Sequence, residues 1–387
     1  MLRVLKDLDV SGMRVLLRVD FNVSVNGGDI VDDFRIRASL PTVKTLKKRG
    51  AKAIILLSHR GRPAGMGDEL SLQPLTKHIA ELLSESITFL GDCAGPVVED
   101  AIAKADDGQV FLLENLRFHE GEDKNDPGFA QALARLGDCF VLDAFGAAHR
   151  GHASIVGLSE LLPSAAGPLF EREVRVLTRM RDEPKTPFVI ALGGAKISDK
   201  LPLIEHFLPK VSALCLGGAL GNTVLSARGM SVGRSRVERE AIVHLPEELL
   251  HHSRLLLPVD AVVADDPEAK KAFRTCAISD IRENEYIFDI GPKTARQFSQ
   301  VISESASVFF NGPMGIAEKK AFRGGTEALI RAMANSSAFT ILGGGDTVLY
   351  PFMFGLADRF GFLSTGGGAT LEFLSGRTLP GVAALSS

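Results

Sequence analysis

Missing from this sequence are the strings that most often announce nucleotide chemistry. No Gly-Lys step occurs anywhere in its 387 residues, so there is no G-x-x-x-x-G-K-[ST] P-loop, and no G-x-G-x-x-G fingerprint occurs either. The four cysteines, Cys93, Cys139, Cys215 and Cys276, form no Cys-x-x-Cys pair, which argues against a zinc site or a disulfide framework and leaves them as reduced core residues. No run approaches the roughly 18 apolar residues of a membrane span. The opening MLRVLKDLDV carries Lys6 and Asp7 where a secretory signal needs unbroken apolar chain. The expectation is a cytoplasmic protein with no membrane partner. A net charge of −3 gives no global attraction to nucleic acid, so any anion site must be a local cluster.

What is present reads as an ordinary folded chain, 45% hydrophobic and 24% charged. Its length exceeds what one core usually organises, which predicts two domains. Short Val/Ile/Leu-rich runs alternate with segments of helical period, the pattern of parallel strands covered by helices, so the fold class is α/β. The predicted strands are 15–19, 53–57, 110–113, 139–142, 188–192, 213–216, 255–259, 308–310 and 339–342. Helices are expected over 39–49 and 72–84, with Pro41 and Pro74 near their starts, where a missing amide hydrogen does no harm.

Polar groups and glycines gather where these strands end: Asp20 and Asn22, Ser58 and His59, Glu114 and Arg117, Asp143, then Gly193, Gly217, Asp260, Asn311 and Gly343. Ligands of open parallel sheets bind beyond the carboxyl ends of the strands, so this distribution predicts a site before any motif is named. The two halves differ in chemistry. The earlier segments supply Arg35, His59, Arg62, Arg117, His149 and Arg150. A lone arginine is ordinarily a solvated surface residue, but several cations converging on one crevice repel each other unless an anion joins them. The later loops offer GGAK at 193–196, GGALGN at 217–222, GGGD at 343–346 and GGGA at 366–369. One glycine doublet is most simply a turn; four after strands read as a phosphate cradle, with Asp346 able to hold Mg2+. Lys196 and Lys200, four apart, are expected on one face of a helix start, where a bound phosphate would relieve their repulsion.

The strings RVLLRVDFNV (14–23), DDFRIRASLPT (32–42), LLSHRGRP (56–63), LLENLRFHEGE (112–122), DAFGAAHRGHAS (143–154), GGAKISDK (193–200), FNGPMGIAE (310–318), GGGDT (343–347) and STGGGATLEFLSGRTLPG (364–381) follow one another in the order of the phosphoglycerate kinase family. The chain resembles that family over nearly its whole length. The resemblance implies two Rossmann-like domains, each a parallel sheet flanked by helices. Residues 1–170 would form a triose domain and 171–369 a nucleotide domain, joined by a hinge helix near 170–181, with the tail 370–387 packing back on the first. It implies reversible, Mg2+-dependent phosphoryl transfer between 1,3-bisphosphoglycerate plus ADP and 3-phosphoglycerate plus ATP, by a monomer that closes about its hinge.

Matched to the family, Asp20, Phe21, Asn22, Arg35, His59, Arg60, Gly61, Arg62, Arg117 and Arg150 would bind the triose. Lys200, Gly291, Asn311, Glu318 and the turn Gly344, Gly345, Asp346, Thr347 would contact nucleotide, Asp346 also taking the metal. Arg35, Lys196, Lys200 and the amides of Gly366, Gly367 and Gly368 would meet the moving phosphoryl group. The sequence departs from the family's usual residue at Ser24, Arg60, Leu142, Ala147 and Phe310, and GGALGN departs from its glycine string. Leu142 and Ala147 are expected to weaken hydrogen bonds behind the triose loops, and Arg60 to strengthen the positive field. Two other classes fit the α/β pattern alone. A dehydrogenase would need the absent dinucleotide fingerprint; a non-catalytic binder of phosphorylated metabolites is opposed by the presence of Arg35, Lys196, Lys200 and Asp346.

Overall fold

The computed structural model describes residues 1–387 except Gly28, Ala64, Met66, Ala269, Lys270, Lys271 and Ser387, and gives the backbone alone at Asn26, Asp29, Asp68 and Asp346. The chain forms two compact units, Met1–Val176 with Thr378–Ser387, and Leu177–Arg377. Both are built on a six-stranded parallel sheet covered by helices.

In the first unit, β1 (Arg14–Arg18) and β4 (Ala53–Leu57) alternate between two apolar faces, so their sequences read as continuous hydrophobic runs. A hairpin of β2 (Val25–Asn26) and β3 (Asp29–Ile30) separates them in sequence. The sheet is completed by β5 (Ile87–Leu90), β6 (Gln109–Leu113), β7 (Cys139–Leu142) and β8 (Ser164–Ala166), in the order β5-β6-β4-β1-β7-β8. The edge strands β5 and β8 carry no long aliphatic run, and pattern reading misses them. One face packs Val15, Leu17, Ile54, Leu56, Val110 and Val141 against the helices Phe34–Lys48 and Leu75–Leu83.

The first of those helices starts five residues earlier than its periodicity suggests. Pro41 therefore lies in its interior instead of at its first turn, where it removes one i→i−4 bond and normally costs about 3 kcal/mol. Burial offsets that: Ile36, Leu40, Val43 and Leu46 are all in the core. The second helix starts at Leu75 with Pro74 at its N-cap, a position that tolerates proline.

In the second unit the parallel strands are β9 (Phe188–Leu192), β10 (Ala213–Leu216), β11 (Leu255–Leu256), β15 (Ser307–Asn311), β16 (Phe339–Leu342) and β17 (Phe362–Leu363), in the order β11-β10-β9-β15-β16-β17. An antiparallel sheet of β12 (Asp260–Ala264), β13 (Arg274–Ala277) and β14 (Tyr286–Ile290) stands beside it. The expected strand 255–259 is shorter than predicted, because the chain leaves the parallel sheet at Leu256 and re-enters structure as β12 at Asp260.

Register fixes where the loops emerge. Arg18, the last residue of β1, pairs with Leu57 of β4 and Leu142 of β7, so residues 19–22, 58–62 and 143–150 leave the sheet at one edge. Leu192 of β9 pairs with Leu216 and Asn311, Phe310 with Leu342, and Leu342 with Leu363, which sends the glycine runs at 193–194, 217–218, 343–345 and 366–368 to one edge. Successive strands are added in opposite directions from β1/β7 and from β9/β15. Each pair is therefore a topological switch point, the place where an open α/β sheet holds ligands.

The helix Pro168–Asp182 runs unbroken across the boundary at Val176/Leu177. Its first turn is capped by Asp143, which follows β7: Asp143 Oδ1 accepts from Phe170 N at 3.0 Å, and Thr42 Oγ1 donates to Oδ2. Burial pushes this carboxyl up to about 7, opposed by the Thr42, Phe170 and Leu169 bonds. The native group thus titrates near 7 and the unfolded one near 4. Ionisation between those values favours the unfolded chain, so stability from this site is full below about pH 4 and lost as pH rises through 7. Against Asp143→Asn, which cannot ionise, wild-type stability should fall by on the order of 4 kcal/mol between pH 4 and 8. Urea unfolding of both proteins across that range checks it, and parallel pH profiles would reject the assignment.

Candidate active site

Of the cationic side chains expected at the β1/β7 edge, Arg35 and Arg117 are brought together there. Arg35, on the first turn of its helix, lies 3.6 Å from Asp20 and donates to Asn22 O at 3.0 Å. Asn22 Oδ1 accepts from Gly61 N at 2.9 Å, and Arg117 Nη1 donates to Gly61 O at 2.5 Å. Phe21 N donates to Ser58 Oγ, tying the loop after β1 to the loop after β4. Asp20, Phe21, Asn22, Arg35, Gly61 and Arg117 thus form one bonded set. Arg150 is half-buried against His149, to which it donates at 3.3 Å, and Arg62 is exposed.

Beneath this edge is a buried charge pair that pattern reading overlooked. Arg18 is fully buried and spends its donors on Ser154 Oγ at 2.8 Å, Val19 O at 2.5 Å and His59 Nδ1 at 3.0 Å, with Glu122 at 4.0 Å. A buried guanidinium needs such a counter-charge. Burial alone would raise the Glu122 carboxyl, but His152, Arg18 and Ser154 overcome it and hold the group below the usual carboxylate range. Arginine can only donate, so His59 Nδ1 is the acceptor and its proton sits on Nε2. Burial, reinforced by Arg18 and Arg117, drives the His59 pKa well down and keeps the ring neutral. The signal was in the sequence: an arginine follows directly on the apolar run Val15–Leu17 of β1.

Two expectations, for Arg60 and for the lysine pair, are corrected here. Arg60 is buried and turned inward, donating to Val23 O at 3.3 Å and Ser71 O at 3.0 Å, so its guanidinium braces loops instead of facing an anion. Leu142 and Ala147 are fully packed apolar residues. Lys196 and Lys200 do not share a helix face, since the helix begins at Leu201; Lys196 is exposed while Lys200 is buried at the N-cap. Burial lowers the Lys200 pKa, opposed by Asp199 and Glu238. Glu238, unmarked in the sequence, holds this segment by accepting from Ile197 N at 2.7 Å and Ser198 N at 3.1 Å.

At the β9/β15 edge the backbones themselves are in contact. Gly193 N donates to Asn311 O and Gly194 N to Pro313 O, while Gly312, at φ +81°, lies so close that a Cβ would fall 2.7 Å from Gly193 C. Only glycine tolerates both the conformation and the approach. Gly312 N donates to Thr347 Oγ1 at 2.8 Å. The Gly344 turn abuts the later glycines, since a Cβ there would lie 2.6 Å from Gly367 N and 2.9 Å from Gly366 N. Asn311 is buried between these turns. Thr347, Gly344, Gly345, Gly366, Gly367 and Gly368 therefore form one glycine-walled corner; the Asp346 carboxylate lies outside the described atoms.

Beside that corner is a cavity of about 340 Å³ lined by Gly194, Gly218, Asn222, Phe288, Met314 and Glu318, among others. GGALGN thus lines a pocket despite its unusual string, whereas Gly291 caps the helix Pro292–Ser303 and is not among the lining residues. A larger groove of about 820 Å³ between the helices Pro292–Ser303 and Gly324–Asn335 holds none of the expected site residues. Among the described residues, Asp92, Cys93 and His119 come within metal-ligand distance of one another. Burial raises the Cys93 thiol far above its usual pKa, and its Sγ already donates to Glu114 O, so the trio is a structural bond set.

A sequence profile described as phosphoglycerate kinase matches residues 5–377. The phosphoglycerate kinase of Thermomicrobium roseum is 48% identical over 99% of both chains, and that of Rubrobacter xylanophilus 47% identical over 99% of this chain and 98% of its own. Among solved structures, phosphoglycerate kinase from Pyrococcus horikoshii OT3 superposes with a TM-score of 0.90 at 30% identity, over 100% of this chain and 98% of the other. The Coxiella burnetii enzyme gives 0.84 at 36% identity, over 100% and 99%.

The loops after β4 and β6 hang on Asn115, whose side chain is fully buried and uses its full bonding capacity. It accepts from Arg60 N and Arg117 N and donates to Arg60 O and Leu70 O, all within 3.1 Å. Asn115→Ala strands several backbone groups and should destabilise the protein by about 2–4 kcal/mol. A urea midpoint shift worth under about 0.5 kcal/mol would show that water replaces these bonds at little cost.

Proposed function

The chain belongs to the phosphoglycerate kinase family, and we propose that it works by holding phosphoglycerate on the arginine-lined edge of its first unit and ADP or ATP on the glycine-lined edge of its second. The reaction is the glycolytic transfer of a phosphoryl group between 1,3-bisphosphoglycerate and ADP, giving 3-phosphoglycerate and ATP, reversibly. What carries the site reading is the bonded set at β1/β7. Arg35 and Arg117 are fixed by Asp20, Asn22 and Gly61, so their guanidinium charge is organised before an anion arrives.

Arg62, Arg117 and Arg150 hold the phosphate and carboxylate of the triose, with His59 offering a neutral Nε2–H donor. Arg35 meets the transferring group. In the second unit the cavity at Gly218, Met314 and Glu318 takes adenosine, and the amides of Gly344 to Thr347 and Gly366 to Gly368, with Lys196 and Lys200, take the phosphates. Phosphate oxygens at an edge made of amides and lysines would still need a hard cation, and Asp346 is the carboxylate its turn supplies. Mg2+, which takes one or two carboxylates plus phosphate oxygens, fits that donor set and would neutralise charge on the transferring group. No general base is needed, because the acceptor carboxylate is already ionised at neutral pH. Phosphoryl transfer then rests on positioning and charge stabilisation.

Membership of this family favours a monomer acting in the cytoplasm on small dissolved substrates, and a net charge of −3 gives no global attraction to nucleic acid. No described helix is long and apolar enough to cross a membrane.

Purified protein given 3-phosphoglycerate and MgATP should release ADP in a coupled assay, and omission of triose or addition of EDTA should abolish it. Arg35→Ala should lower kcat by about a thousandfold or more if it acts on the transition state like an arginine finger; a kcat within about threefold of wild type would remove that role. Arg62→Ala should instead weaken triose affinity by roughly 10- to 150-fold, the range for a hydrogen bond to a charged group. Unchanged affinity would take Arg62 out of the pocket.

A further inference from the structure

One buried carboxylate in the second unit touches the wall of the nucleotide cavity yet has no part in the transfer chemistry. Asp289, near the end of β14, has both oxygens committed to backbone amides: Oδ1 accepts from Ile290 N at 2.9 Å and Oδ2 from Gly325 N at 2.8 Å. Buried and bonded to a backbone amide through each oxygen, it acts as a hydrogen-bond acceptor that fixes backbone. Gly325 is the second residue of the helix Gly324–Asn335, so the carboxylate sits at that helix's positive end. The packing is tight: a Cβ at Gly325 would fall 2.6 Å from Oδ1, and one at Gly315 2.7 Å from Asp289 Cα.

The helix start passes this constraint on. Thr326 Oγ1 accepts from Met314 N at 2.9 Å, Met314 O accepts from Gly218 N at 3.0 Å, and Phe288 O accepts from Ile316 N at 2.8 Å. Gly218, Phe288, Met314 and Ile316 all line the 340 Å³ cavity. A continuous chain of hydrogen bonds therefore leads from Asp289, through the first turn of the helix and Thr326, to the floor of that cavity.

We propose that Asp289 is a positioning residue for nucleotide, acting through Thr326 to hold Met314 and Gly218 where the adenosine part lies. This rests on the reading of the cavity as the nucleotide pocket. Because both carboxylate oxygens face N–H groups, an amide at this position must turn its NH2 toward one of them in either orientation, so Asp289→Asn loses at least one bond. Thr326→Val breaks the next link, and Thr326→Ser keeps it.

The test is ADP binding by calorimetry together with steady-state kinetics. Asp289→Asn and Thr326→Val should each weaken ADP affinity about 5- to 20-fold and raise KM for ATP by a similar factor. The KM for 3-phosphoglycerate and kcat at saturating ATP should stay within about twofold, and Thr326→Ser should restore ADP affinity. Ala219→Leu, which fills the cavity, serves as the control on the pocket itself. If Ala219→Leu weakens ADP but Asp289→Asn and Thr326→Val do not, the positioning role is wrong and the pocket stands. If Ala219→Leu leaves ADP affinity unchanged, the pocket reading fails and this inference with it. Equal loss of kcat and of both substrates' affinities would reduce Asp289 to a general structural residue and overturn the proposal. Should Asp289→Asn not fold, the Thr326 pair decides alone.

Discussion

Parallel strands that end in register must turn their following loops at one edge, and both units depend on that constraint. Arg18 level with Leu57 and Leu142 in the first sheet, and Leu192 level with Leu216 and Asn311 in the second, bring together loops far apart in sequence. The shared geometry is filled with opposite materials. In the first unit long cationic side chains rise from the edge; in the second, glycines bring backbone amides to it, beside Lys196 and Lys200. A triose phosphate carrying a carboxylate suits directional guanidinium forks, whereas a polyphosphate chain suits closely spaced N–H groups that only glycine allows to approach.

Concentrating cations at one edge is opposed by their mutual repulsion and by desolvation, and the first unit answers both below the surface. Glu122 offsets the buried Arg18, with Ser154 and His152 completing its bonds, and burial beside two arginines keeps His59 neutral so that it adds a donor but no further charge. The second unit has little charge to balance. Its difficulty is holding backbone in close contact, and carboxylates on neighbouring segments do that work: Glu238 ties down residues 197–198, and Asp289 ties down the start of the helix Gly324–Asn335.

Residues with one strong chemical identity were legible from the sequence. Arg35, Arg117 and Asn22 were marked by type and by position after a strand, and the structure bonds them into one set. Residues whose roles come from partners were not. Arg60 looks like an anion ligand in the string SHRGRP, yet its donors are taken by carbonyls of Val23 and Ser71. Pro41 looks like a helix start, yet burial of the flanking aliphatic residues carries the helix through it. Lys196 and Lys200 have helical spacing, yet the helix begins after both.

By itself the sequence determined the α/β class, the strands of the two sheet centres and the order of family strings, because each is set by local periodicity or by residue identity. Only the tertiary structure decided the antiparallel sheet β12–β14, the cavity behind GGALGN, the buried Arg18 and Glu122 pair, and the parts played by Asn115, Glu238 and Asp289. These polar side chains could each have stood in solvent. What gives them a role is a contact with chain many residues away, and no local pattern encodes a partner that folding alone brings within 3 Å.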